Sequence, residues 1–192
     1  KEHGVQIVGV VVPAEDDRLA NAARAAGLPL HVQANPKVVG AEALPVACDL
    51  IIAAEHATFA LPEINSGTVA DAASIKLPRR IPYAVAMDLL FTGRRIDAAE
   101  AKHWGLINEV VPADRLMARA RELADQLADG PPLVFAAIKE ITRETAHLPI
   151  QQAFDLVTKR KLKTVDILYS SEDQLEGARA FAEKRKPQWK GR

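Results

Sequence analysis

Two kinds of segment make up this sequence. Apolar, β-branched runs fall ahead of residue 55, as VQIVGVVV (5–12) and LIIAA (50–54), whereas most of the chain after residue 80 carries helical spacing. A run that is apolar at consecutive positions reads as a strand buried on both faces. Helices laid against the strands are the usual way to bury it, so the chain is predicted to be α/β. Pro13 ends the first run, and Asp16 and Asp17 sit where a helix N-terminus favours negative charge. LANAARAAG then runs helically to Gly27, and LPLHVQ (28–33) is the next strand. ANPKVVGAEALP (34–45) has two prolines and no clean period, and reads as loop or weak helix.

Beyond LIIAA, HATFALPEINSG (56–67) reads as turns and short extended pieces. Helices are predicted over 82–91, 97–104, 114–128, 132–146, 150–167 and 171–185, with NEVVP (108–112) as a lone strand among them. Asp97 with Glu100 makes a D-x-x-E helix start, Gly105 a stop, and Gly130-Pro131-Pro132 a separator. Two apolar stripes stand out: Leu133, Val134, Ala137 and Ile141 on one helix, and Ile150, Ala153, Phe154 and Val157 on the next.

Composition narrows the class. Lys+Arg and Asp+Glu both number 25, so the chain has none of the basic excess expected of a nucleic-acid partner. Aromatics are only 5%, too few for a stacking platform. No apolar run approaches the roughly 18 residues of a membrane span, and KEHGVQIVGV lacks a signal-peptide layout. Cys48, the one cysteine, reads as a buried structural residue in a reducing, cytoplasmic setting. The five histidines show no metal-ligand spacing, and no phosphate-binding glycine loop or G-x-S-x-G elbow occurs. Residues 159–192 carry ten Lys/Arg against five Asp/Glu, which fits either a solvated helical surface or a seat for an anion.

Longer patterns go further. ACDLIIAAEHATFALPEINSG (47–67), FTGRRIDAAEAKHWGLINEVVP (91–112) and GPPLVFAAIKEI (130–141) together resemble the crotonase, or enoyl-CoA hydratase/isomerase, superfamily. The closing SSEDQLEGARAFAEKRKPQWKGR (170–192) is similar to the end of the carnitinyl-CoA dehydratases within it. The resemblance implies a partial crotonase-like ββα spiral with a C-terminal helical oligomerisation region, assembled as a homotrimer or dimer of trimers. It also implies a lyase acting on an acyl-CoA thioester without a further cofactor or metal. Backbone N–H groups would stabilise the thioester enolate, and carboxylates would move protons and water. The expected organisation is a βαβ-like segment over 1–46, a crotonase core portion over 47–128, and the helical region over 129–192.

Carried over position by position, the family's F-x-x-P-E glutamate matches Glu63 in FALPEI, the expected catalytic acid/base. Gly40 matches a glycine of the oxyanion loop, and Asp71 an acid that lines the substrate pocket or caps the following helix. Lys184, Arg185 and Lys186 offer charge to the CoA phosphates. The sequence also departs from the family. Its second glutamate position is Ala43; Glu42 lies one residue off, about 100° around a helix. Val39 and Ala41 flank Gly40, Pro45 falls where the family continues a helix, and ADAAS (70–74) replaces the usual P-D-x-G-G. Residues 1–34 instead resemble the first βαβ of a formyltransferase-type domain, although no catalytic portion of that fold follows residue 50. Two readings therefore stand: an acyl-CoA hydratase/dehydratase, or a degenerate, non-catalytic crotonase-fold subunit that binds CoA or assembles.

Overall fold

A computed structural model describes residues 48–192. The described chain divides into two compact units, 48–124 and 125–192. Gly40 and the segment 1–46 lie outside the described residues.

The first unit, 48–124, is built on a parallel pair. β1 (Ile52–Ala54) lies beside β4 (Glu109–Val111) in the register Ile52↔Glu109 to Ala54↔Val111. NEVVP is thus not a lone strand: it partners the LIIAA run. Asn108 extends the ladder by one position, its Oδ1 accepting from Ile51 N–H at 2.7 Å and its N–H donating to the Ile51 carbonyl at 2.9 Å. A second small sheet pairs β2 (Thr58–Phe59) with β3 (Ile96–Asp97), antiparallel.

Three helices fill the crossover between β1 and β4: α1 (Asp71–Arg80), α2 (Tyr83–Thr92) and α3 (Ala98–His103). Helix α1 is the helix expected after Asp71, although its span is not among the predicted ranges, and Pro78 lies within it. Proline at 78 has no N–H to give the Ser74 carbonyl and its ring crowds that group, so the loss falls inside the helix. Packing outweighs the loss, since Ala73 and Leu77 of α1 are buried at the centre of the core. Truncating such a leucine to alanine costs about 2–5 kcal/mol. Arg80 fastens the end of α1, donating from Nε to the Leu106 carbonyl at 3.1 Å and from Nη1 to the Cys48 carbonyl. It thereby ties together the segments that lead into β1 and β4. Burial pushes its guanidinium pKa down against the opposing pull of Cys48 and Asp49. Cys48 itself is buried, as expected. Helix α4 (Leu116–Ala128) follows β4.

In the second unit, 125–192, α5 (Pro132–Thr145) packs on α7 (Lys163–Tyr169) around Ala137, Leu162 and Val165. Burial alone would raise the Glu140 carboxyl, but hydrogen bonds from Thr164 and Lys163 outweigh it and hold the pKa below its usual value. The expected single helix over 150–167 is two: α6 (Ile150–Thr158) and α7. Arg160 breaks it by adopting φ +49, and its guanidinium carbon stands 5.0 Å from the centre of the Tyr169 ring. The break turns the chain so that Leu162 enters the core. No glycine or proline marks the position, so the sequence carries no local signal for it.

The last helix, α8 (Glu172–Ala182), is shorter than the predicted 171–185. Ser171 caps it by accepting from Gln174 N–H at 3.1 Å, an interaction worth about 1 kcal/mol. Residues 185–192 then fold back along it. Asp173, only 3% exposed, accepts from Lys190 N–H at 2.7 Å and Gly191 N–H at 2.9 Å. Glu176 receives a fork from Arg185 at 2.6 and 3.0 Å and a third bond from Gln188 N–H at 2.8 Å. Trp189 lies against Gly177, where a Cβ would come within 3.2 Å of the ring. A cavity of about 470 Å³ lies under this strap, and Asp173, Glu176 and Arg185 in its lining are already engaged with one another or with the strap backbone. The two ends of the closing sequence motif are thus partners of each other.

The strap predicts an acid transition. The Arg185 fork, followed by the Gln188 N–H, lowers the Glu176 pKa from 4.5 to about 2. A depressed carboxylate contributes stability above its unfolded pKa and loses it as pH falls through the folded value. In a Trp104→Phe background, emission from Trp189 is therefore expected to change between pH 4.5 and pH 2 as the strap releases. Glu176→Gln should show the released spectrum already at neutral pH.

Candidate active site

Glu63 stands on a short 3-10 turn, Pro62–Ser66. The residue before a proline is pushed to extended backbone, and Leu61 accordingly enters at φ −124, ψ 77 with its side chain buried. Proline at the first position of the turn then sets the reversal. Gly67 N–H closes the turn onto the Ile64 carbonyl at 3.2 Å, and Thr68 donates both N–H and hydroxyl to the Glu63 carbonyl at 3.1 and 3.2 Å. The backbone of Glu63 is well held.

Its side chain is not. The residue is half-buried, and Glu63 Oε2 is the one buried side-chain oxygen or nitrogen among the described residues with no hydrogen-bond partner. Buried polar atoms are paired in the great majority of cases, and an unpaired one calls for an explanation. The oxygen is closed to water in this structure, so work as a general base would require a substrate or a water to gain access to it.

The segment 91–97 (FTGRRID) supports this turn from beside it. β3 pairs with β2, the strand leading into the turn, and Arg95 Nη1 donates to Thr58 Oγ1 at 2.8 Å. Arg94 reaches in two directions, from Nε to Asp88 Oδ2 at 2.6 Å and from Nη1 and Nη2 to the Glu100 carboxylate at 3.1 and 2.7 Å. Bidentate arginine–carboxylate pairs fix orientation as well as distance. The bonds to Glu100 and then to Asp88 raise the Arg94 pKa above its ordinary value, while Arg94 is the first cause lowering that of Glu100. The expected helix start is present, with Asp97 Oδ1 accepting from Glu100 N–H at 2.7 Å. The Glu100 side chain does not reach back to complete a capping box. It serves Arg94 and Trp104 Nε1.

The other sequence-derived residues fall as follows. Asp71 is exposed at the first position of α1, on the element after the Glu63 turn. It does not cap the helix: Ala70 holds the N-cap position and no side chain caps it. Asp71 lies in the first turn, where its charge faces the positive helix end. Lys184, Arg185 and Lys186 belong to the second unit. Arg185 is committed to Glu176 and Glu183, Lys186 stands 3.6 Å from Asp129, and Lys184 has φ +53 at the end of α8. Thr68, whose bonds hold the Glu63 carbonyl, is not among the residues the sequence singled out; the S-G-T order after the turn is its only signal. Among the described residues no group of three or more His, Cys, Asp or Glu side chains is placed to hold a metal.

A model of the enoyl-CoA hydratase/isomerase family matches residues 23–192. The chain belongs to this family. The match begins inside the 1–46 segment that the sequence set apart. The chain is 49% identical to the carnitinyl-CoA dehydratase of Proteus mirabilis (strain HI4320) over 150 residues, 78% of this chain and 58% of that protein. Identity to the Salmonella typhi carnitinyl-CoA dehydratase is 46% over the same shares. Among solved structures, enoyl-CoA hydratase from Bacillus anthracis matches with a TM-score of 0.71 at 35% identity, covering 78% of this chain and 57% of that one. Enoyl-CoA hydratase from Mycobacterium tuberculosis H37Rv matches with a TM-score of 0.69 at 35% identity, covering 77% and 57%. The fold is therefore a partial crotonase fold, and the chain spans less than two thirds of the length of these relatives.

An unpaired buried carboxylate oxygen weakens the fold that holds it, by roughly 1–3 kcal/mol. Glu63→Met, which fills similar space without a polar atom, should raise the thermal unfolding midpoint measured by circular dichroism. A midpoint at or below that of the parent chain would show that the oxygen carries no such penalty.

Proposed function

We propose that this chain takes part in the hydration and dehydration of an acyl-CoA thioester, in the manner of a carnitinyl-CoA dehydratase, with Glu63 as the acid/base. The observation that carries the reading is the Glu63 Oε2 atom, buried and unpartnered on a turn inside the family match. In the dehydration direction a proton leaves C2 of a 3-hydroxyacyl thioester and the electron pair moves onto the thioester carbonyl as an enolate. Collapse of the enolate expels the C3 hydroxyl, which departs as water after taking up a proton. Hydration is the reverse. Glu63 takes or returns one of these protons, and backbone N–H groups, that of Gly40 among them, stabilise the enolate oxygen. The sequence is redox-neutral and asks for no cofactor beyond the CoA of the substrate.

The remaining assignments follow the family. Asp71 lines the substrate pocket, and of the three tail cations Lys184 and Lys186 offer charge to the CoA phosphates, Arg185 being held by Glu176 and Glu183. Among the described residues no helix is long and apolar enough to cross a membrane, and the chain is assigned to the cytoplasm. Crotonyl-CoA should be hydrated by the chain, followed as loss of enoyl-thioester absorbance, and Glu63→Gln should lower the rate at least about tenfold. Equal rates would remove Glu63 from the chemistry. CoA-thioester binding by calorimetry with no turnover would favour the non-catalytic subunit instead, the reading that Ala43 motivates.

Residues 129–192 are assigned to oligomerisation. Ile150 and Phe154 of the α6 stripe are 73% and 58% exposed, and Ile138 beside the α5 stripe is 51% exposed, so these helices carry apolar surface not used within their own unit. Sedimentation should show a trimer or a dimer of trimers, and Phe154→Glu should shift it toward monomer. A monomeric parent chain would overturn this assignment.

A further inference from the structure

Glu63 has an orphan carboxylate oxygen, so no hydrogen bond to that atom tells the side chain where to sit. Its place is set by the turn beneath it, and the turn rests on the end of α2. Gly93 closes α2 with φ +62, its N–H donating to the Leu89 carbonyl at 3.0 Å. A Cβ built there would lie 2.9 Å from Ile64 Cγ2, 3.2 Å from Asn65 Nδ2 and 3.2 Å from the Leu61 carbonyl oxygen. These three residues bracket Glu63 on both sides.

We propose that Gly93 is a positioning residue for the Glu63 carboxylate: the side chain it lacks is the space into which the Glu63 turn seats. The inference rests on Glu63 acting as the acid/base. Two features make the seat unforgiving. The Leu61 carbonyl is backbone and cannot swing aside. On the other side, Arg94 ties the residue after Gly93 to Glu100 of α3, which resists retreat of the end of α2. An added Cβ at Gly93 therefore pushes first on Ile64, the neighbour of Glu63, and crowds Asn65 and the Leu61 carbonyl, and Glu63 Oε2 has no bond of its own to resist. Misplacing a catalytic group by about 1 Å costs on the order of 10²-fold in rate.

Left-handed backbone alone would penalise alanine at Gly93, and the chain contains its own control. Gly105 has φ +78 with nothing within 4 Å of a Cβ, so Gly105→Ala imposes comparable backbone strain without the collision. The experiment compares Gly93→Ala, Gly105→Ala, Ile64→Ala and the double variant Gly93→Ala/Ile64→Ala. Two readouts are taken: crotonyl-CoA hydration, and the ¹³C carboxyl resonance of Glu63 assigned by its loss in Glu63→Gln. Gly93→Ala is expected to lower kcat about 10- to 100-fold with KM within about threefold, and to move the Glu63 resonance. Gly105→Ala should leave both near the parent values. Ile64→Ala should lower kcat about threefold by loosening the same contact, and the double variant should recover much of the loss, the mark of two residues sharing one space.

A Gly93→Ala variant with parental kcat and an unmoved Glu63 resonance overturns the proposal, as does a loss that Gly105→Ala reproduces. If Gly93→Ala does not fold, Ile64→Ala decides: an unmoved resonance there also overturns it. Absence of turnover in the parent chain is a failure of the proposed activity, and the Glu63 resonance then judges the seat by itself.

Discussion

Parallel pairing of β1 with β4 is the constraint on which the first unit depends. Two parallel strands cannot be joined by a tight turn, so the intervening chain must leave the sheet and return on the same side. Residues 55–108 are that excursion, and they contain the Glu63 turn, the second sheet and three helices. The position of Glu63 is therefore a consequence of how the excursion is folded. Leu77, Ala86, Ala98 and Ala101 are almost fully buried within it. Alanine at three of these positions lets the helices and strands approach closely, and the cost of a cavity on truncation is avoided where there is little side chain to truncate.

Two arginines do for the excursion what caps and short loops do elsewhere. Arg80 gathers the two chain segments entering the parallel pair, through carbonyls that would otherwise need other donors. Arg94 gathers α2 and α3 through carboxylates on each. Neither job could pass to lysine. A guanidinium presents several donors in a fixed plane, whereas an ammonium is a point charge on a flexible stem. The second unit uses the same device in its strap, where Arg185 forks onto Glu176. This accounts for part of the basic excess in residues 159–192, since some of that charge is consumed by internal pairs.

The sequence made the fold class legible because its apolar runs and helical stripes have different periods, and made most helix ends legible because Asp97, Gly105 and Gly130-Pro131-Pro132 punctuate them. Glu63 was legible through the long FALPEI context and not through its own chemistry, since a Pro-Glu pair on a turn has no distinctive spacing. Three features were hidden for physical reasons. The span of helix α1 is masked by an interior proline that tertiary burial of Leu77 overrides. The break at Arg160 is made by a residue that rarely adopts φ > 0, held there by the core demand for Leu162. The partner of NEVVP lies more than fifty residues away, at a range where local pattern has nothing to say.

The orphan oxygen on Glu63 gives these observations a common sense. Glu63 Oε2 has no hydrogen bond to fix its place. Geometry must then come from the backbone and from packing. The turn around Glu63 has that character: its carbonyl is held by Thr68, its entry by Pro62 and the buried Leu61, and its flank by the segment that Arg94 and Arg95 fasten. One fork, from Arg94 to Glu100, fastens that flank, while Glu63 Oε2 within the turn is left without a partner, so what places the side chain is the turn itself.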